Sequence, residues 1–225
     1  MTFEQIIERL EKQANPDNVE GMARYGIAEI KAYGLNAPAL REMAREIGRD
    51  QSMARRLWRK RTHETRILTT LLADPVQTTE ADIDRWVSDL RNWAICDALC
   101  MNLLWQLPFA HEKALELSAR EEEFEKRAGF ALIATLALKD KRASDDEIAR
   151  FLPIIEREAG DERNFVKKAV NWALRQIGKR SRPLNEQAVE LAERLRKSEA
   201  PAARWVGADA WRELTGEKVQ ERLRR

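Results

Sequence analysis

Apolar residues return every three or four positions in one short segment after another, from "FEQIIERLEKQ" near the start of the chain to "PAARWVGADAWREL" near its end. That period belongs to helices that bury one face. Val, Ile and Thr never gather into the alternating runs a strand needs. Gly and Pro, at 9 and 7 of 225 positions, break the pattern only at intervals, so helix is favoured almost throughout. Periodicity and punctuation predict helices over 3–13, 17–24, 38–48, 51–60, 63–74, 79–90, 92–106, 109–120, 122–139, 145–158, 162–178, 185–198 and 201–214. Pro38 stands at a helix start, Thr79 precedes an acidic first turn, Ser144 with Glu147 forms a capping box, and Gly48, Gly160 and Gly178 supply stops. The segment "YGIAEIKAYGLN", 25–36, reads either as one more helical turn or as a loop shaped by Gly26 and Gly34.

So many short helices exceed what one bundle core accommodates, and stacked pairs of the HEAT or armadillo kind suit them better. Residues 1–225 contain no linker or low-complexity tract, so a single all-α domain is expected. The first residues form an acidic amphipathic helix rather than a signal core, and no apolar run approaches the ~20 residues that span a bilayer. A cytoplasmic protein without a membrane partner is the expectation. Cys96 and Cys100 are the only cysteines. Four residues apart on a helix, they favour reduced thiols over a strained disulfide. Neither "HETRI" nor "HEKAL" completes the HExxH zinc pattern, and no metal or other cofactor is indicated. A net charge of +2 does not by itself announce a nucleic-acid binder, so the distribution of charge has to carry that argument.

Three residues sit against the helical pattern. Asp97, in "NWAICDALC", is the sole charge between Arg91 and His111. A helical wheel puts it with Trp93, Cys100 and Leu104, opposite Ile95, Leu99, Asn102 and Leu103. An ionised carboxylate there needs an interhelical ion pair, a wet cleft or a cationic ligand. Arg127 is the last charge before eleven uncharged residues and shares a face with Ala131, Ala134 and Leu138. It either grips a carboxylate or phosphate bidentately or pairs at the surface with Glu123. In "DERNFVKKAVNWALRQIGK" the core stripe is Val166, Ala169, Val170, Ala173 and Ile177, while Phe165 and Trp172 point away from it beside Lys168, Arg175 and Lys179. An aromatic edge next to a basic face grips a sugar-phosphate chain; the alternative is that both rings pack on the next helix.

Taken together, "NWAICD", the arginine of "FEKRAGFALIATLAL" and the tryptophan of "FVKKAVNWALRQIGK" resemble the AlkD-type DNA alkylation repair family, alkylpurine DNA glycosylases built from HEAT-like repeats. "MARYGIAEIKAYGLNAPALREMAREIG" and "LWRKRTHETRIL" extend the likeness over most of residues 20–180. The resemblance implies a right-handed superhelical solenoid of HEAT-like helix pairs with a concave DNA-binding surface. It further implies hydrolysis of the N-glycosidic bond of cationic N3- or N7-alkylated purines in duplex DNA, the opening step of base excision repair. The family's catalytic Trp-x-x-x-Asp pair falls on Trp93 and Asp97, its cleft arginine on Arg127 and its second cleft tryptophan on Trp172. Tyr25, Phe165 and Arg175 match cleft-lining or DNA-contacting positions, to which the basic helix face adds Lys168 and Lys179. The chain departs from the family at Asn164 and Phe165, where two adjacent aromatics are usual, and in a longer spacing from Arg127 to Trp172. The expected protein is a monomer, in the cytoplasm and on the nucleoid when bound to DNA.

The chemistry agrees with the resemblance. A purine alkylated at N3 or N7 is already cationic and leaves without a general acid, so the two carboxylates of ordinary glycosidases reduce to one. Two rivals remain: a non-catalytic HEAT-repeat relative binding branched or damaged DNA, expected to lack Trp93 or Asp97, and a protein-scaffolding repeat, expected to lack a basic concave face.

Overall fold

The computed structural model describes residues 1–27 and 31–224, and every regular element among them is helical. Lys31 and Thr62 form an isolated bridge. The chain divides into two compact units, Met1–Pro108 and Phe109–Arg225.

The first unit holds α1 (Phe3–Lys12), α2 (Pro16–Arg24), α3 (Ala37–Ile47), α4 (Gln51–Arg59), α5 (His63–Leu72), α6 (Glu80–Ser88) and α7 (Trp93–Asn102), with a 3-10 turn at Leu104–Gln106. Most of these helices start where a short polar side chain accepts a backbone N–H: Thr2, Asn15, Asn36, Asp50, Thr62, Thr79 and Asn92 all cap in this way. α5 packs against α4, α3 and α7, so these four helices lie together around it. Leu40, Met43, Leu57, Leu68, Leu72, Ile95 and Leu99 close the space between them, each at most 2% exposed. Stacked rings of Trp58 and Trp86, 5.4 Å apart, join α4 to α6. The Arg66 guanidinium lies 4.8 Å from the Trp58 ring centre. It donates to the Asp89 carbonyl at 2.8 Å, while Trp58 Nε1 donates to the Asp89 carboxylate at 3.0 Å.

The second unit holds α8 (Ala110–Ser118), α9 (Glu123–Lys139), α10 (Asp145–Ala149), α11 (Leu152–Glu158), α12 (Asn164–Gly178), α13 (Arg182–Arg196), α14 (Pro201–Leu214) and α15 (Glu217–Arg224). α9 is its axis: packed between α8 and α12, it buries every residue from Arg127 to Ala137. Gly129 makes that approach possible, because a Cβ there would stand 2.3 Å from the Ser118 backbone nitrogen. α12 then packs on α13 and α14, which pair with each other.

Most expected helices stand within two or three residues of their predicted bounds, and the capping boxes at Thr79 and Ser144 are both present. Two expected helices differ, and one helix is additional. The segment 145–158 breaks into α10 and α11, because Pro153 has no N–H to continue the ladder and its ring meets the carbonyl four residues back. The helix expected over 92–106 ends at Asn102, where Leu103 leaves helical geometry (φ −128°, ψ −60°). α15 was not expected. It follows Gly216, whose carbonyl accepts from Val219 and Gln220. Of the segment 25–36, residues 28–30 lie outside those described, and the remainder is not helical. Cys96 and Cys100 are both buried thiols. None of the described helices is long and apolar enough to cross a membrane.

Candidate active site

The candidate residues fall into two sets, one in each unit. In the first, α7 begins at Asn92, fully buried, whose Oδ1 accepts from the Ile95 N–H at 3.1 Å. Trp93 opens the helix and Asp97 follows one turn later on the same side, both half-buried, with Ala94, Ala98 and Met101 around them. Ile95, Cys96, Leu99 and Cys100 are sealed. Cys100 and Leu104, expected beside Trp93 and Asp97, are thus core residues, because protein surrounds most of this short helix. The Trp93 indole is fixed by a hydrogen bond from Nε1 to the Tyr25 carbonyl, 2.7 Å. The Tyr25 side chain itself is 73% exposed. Trp93 and Tyr25 line an open groove of about 560 Å3 with Asn18, Met22, Leu35 and Asn36.

One wall of that groove is held by a residue that sequence reasoning missed. Glu64, 0% exposed, accepts the backbone N–H groups of Tyr33 (2.9 Å), Gly34 (2.7 Å) and Leu35 (3.3 Å). The loop is stitched to α2 as well: Asn15 donates its N–H to the Tyr33 carbonyl at 2.7 Å, and the Asn18 amide donates to the Gly34 carbonyl at 2.9 Å. Gly34 is required here, since its φ is +83° and a Cβ would lie 2.2 Å from the Asn15 carbonyl oxygen. Burial disfavours the protonated form of the neighbouring His63 and lowers its pKa, the Glu64 charge opposing that shift in part.

In the second unit, Arg127 is 6% exposed and donates to the Phe165 carbonyl at 2.7 Å, tying α9 to the start of α12. The Phe165 ring is half-buried and tilts against Phe124, 5.4 Å between centres. The expected core stripe of α12 is buried throughout: Val166, Ala169, Val170, Ala173 and Ile177 are all 0% exposed. Trp172 stands off that stripe, half-buried, with Nε1 3.1 Å from the Gln176 amide oxygen in the orientation of that amide that satisfies both groups. Lys168 is exposed.

Arg175 and Lys179 turn to α14. Arg175 Nη1 donates to Asp209 at 3.0 Å, and its Nε lies 2.7 Å from Glu213, an ion pair too poorly aligned to be a hydrogen bond. Lys179 donates to Glu213 at 2.7 Å. Burial opposes ionisation of Asp209, but hydrogen bonds from Asn171 and Arg175 and the charges of Arg175 and Arg212 outweigh it, holding the carboxyl below its usual range. The structure therefore gives these two cations internal partners. Their partners lie more than thirty residues away on a helix whose own pattern shows only an amphipathic face.

A family model described as DNA alkylation repair enzyme matches residues 6–214. Among solved structures, one described as belonging to "a new family of proteins related to the HEAT-like repeat DNA glycosylases with affinity for branched DNA structures" matches with a TM-score of 0.78 at 22% identity, over 93% of this chain and 94% of that one. At that identity the likeness carries the fold, which is the HEAT-like repeat fold expected from the helix pairs. No curated protein matches the sequence. A model that spans nearly the whole chain, over helices arranged in the HEAT-like manner, establishes that this protein belongs to the DNA alkylation repair enzyme family.

Proposed function

We propose that this protein is a DNA glycosylase that hydrolyses the N-glycosidic bond of cationic N3- or N7-alkylated purines in duplex DNA. The observation that carries the reading is the pair on α7: a carboxylate and an indole one turn apart, both half-buried, on a helix with no other charge, beside an open groove that the indole helps to line. Departure of a cationic base leaves positive charge on the deoxyribose. Asp97, as a carboxylate, attracts that charge as it develops and helps to place the attacking water, an interaction stronger in the transition state than in the ground state. The Trp93 face, immobilised through Nε1, offers electron density to the same cationic sugar and base. No general acid is required, because the alkyl group has already made the purine a neutral leaving group.

The substrate's phosphates would be gripped by cations such as the exposed Lys168, and the Trp172 edge would serve as a stacking surface. The test is direct: incubation of methylated duplex DNA with the protein should release free 7-methylguanine or 3-methyladenine. A second reading, favoured by the structural relative described as having affinity for branched DNA, is a non-catalytic binder of junctions. It would give tight four-way junction binding and no base release.

A further inference from the structure

The geometry points to a phosphate-binding track on α3, formed by Arg41, Arg45 and Arg49, that receives the backbone of the DNA strand running out from the Trp93 groove. The inference rests on the proposed function and adds to it a second binding element. The three arginines are exposed and line one open groove of about 550 Å3, floored by Pro38, Ala44 and Leu71.

The charge on α3 is segregated rather than paired. Glu46 is taken by an ion pair with Arg9 of α1, and the Glu42 charge also acts on Arg9. Arg41 and Arg45 make no ion pair or hydrogen bond among the described residues, although Glu42 is three residues from Arg45 and so in register to pair with it. Arg49, past the Gly48 turn, makes a 3.5 Å contact with Gln106 and feels the Asp74 charge without forming an ion pair with it. Nearby, Arg55 and Arg56 are paired with Asp82 and Glu4. Like charges four residues apart on one helix destabilise it slightly, so a bare Arg41–Arg45 step is unfavourable until an anion fills it.

The spacing suits a polyanion. Arg41 and Arg45, four residues apart on α3, are ~6 Å apart along its axis, a rise over which one DNA strand presents about two phosphates at ~3.4 Å of axis each, and Arg49, beyond the Gly48 turn, adds a third cation to the same groove. Guanidinium groups hold phosphate oxygens bidentately. The track is also continuous with the candidate active site. Leu35 and Asn36, the latter the cap of α3, line the Trp93 groove, and Pro38, two residues on, begins the arginine groove.

The test uses the full chain and undamaged duplex DNA, so it does not depend on glycosylase activity. Binding is followed by fluorescence anisotropy across a salt series for the wild type and for the triple variant Arg41→Gln, Arg45→Gln, Arg49→Gln. Each phosphate contact contributes ~0.9 to the slope of log K against log salt, so the triple variant should lie shallower by about 2 to 3. The charge-matched control Arg24→Gln, Arg182→Gln, Arg212→Gln removes exposed arginines that are paired within their own helices, and its slope should change by less than ~1. The variant Arg41→Lys, Arg45→Lys, Arg49→Lys should keep most of the wild-type slope. An unchanged slope in the glutamine triple, or an equal change in the control, overturns the track while leaving the glycosylase reading standing. A wild type with no salt-dependent DNA binding overturns both.

Discussion

Replacing Glu64 removes the buried carboxylate that holds one wall of the groove beside Trp93. Its side chain is fully buried, and its two oxygens serve three backbone donors at 2.7–3.3 Å. Glu64→Ala strands all three N–H groups. A buried donor left unsatisfied costs ~1–3 kcal/mol, and partial relaxation and water entry recover some of that, so the expected loss is about 3–5 kcal/mol. Against a typical total of ~5–15 kcal/mol this is a large share. Glu64→Gln should cost less. Its remaining oxygen can still serve Gly34 and Leu35, but the amide NH2 then faces the Tyr33 N–H, donor against donor, for a loss of about 2 kcal/mol. Urea unfolding of the full chain measures the totals, and hydrogen exchange at the amides of Tyr33, Gly34 and Leu35 localises them. These amides should be protected in the wild type and fast in Glu64→Ala, and DNA binding should weaken as the groove wall loosens. An alanine variant within ~0.5 kcal/mol of wild type, with protection unchanged, would refute the reasoning.

Further expectations follow from individual contacts. Gly129→Ala places a methyl group against the Ser118 backbone and should destabilise the protein by at least ~1–3 kcal/mol in thermal melts, as an overpacked core does; a neutral effect would mean that α8 and α9 are less close in solution. Arg175→Gln with Lys179→Gln should lower stability by about 1 kcal/mol while leaving the DNA salt slope nearly unchanged, because both cations are already paired with Asp209 and Glu213; a slope shallower by ~1–2 would show that they leave those partners for phosphate. Burial opposes ionisation of Asp82, but hydrogen bonds from Arg55 and Thr79 and the charge of Arg55 hold its pKa below 3.8. The folded form therefore binds fewer protons than the unfolded one in that region. Stability from Asp82 is complete above 3.8 and is lost as pH falls through the lower folded value, so Asp82→Asn should flatten the acid limb of the stability curve.

What could be read in the sequence was what a helix does to its own residues. The α12 stripe, the Thr79 and Ser144 boxes and the placing of Trp93 one turn before Asp97 all follow from a fixed period of 3.6. Interactions that depend on chain return were not legible. Glu64 sits in "HETRI", where only its fitness as part of a zinc motif could be weighed, because its partners are backbone N–H groups some thirty residues earlier. Arg175 and Lys179 were legible as a basic face, but their neutralisation by α14 was not. The arginines of α3 never form a run: Glu42 and Glu46 are interleaved with them, and only the helix wheel together with the Arg9 ion pair separates the two signs.

The central claim is that the Asp97 charge, rather than its shape, drives base loss. Asp97→Asn keeps size and hydrogen bonding and removes the charge. Under single-turnover conditions on duplex DNA carrying 7-methylguanine, the rate of base release should fall by about 10²–10³-fold or more, the scale of losing one preorganised electrostatic group, with DNA affinity retained. Base release at the wild-type rate in that variant would contradict the account.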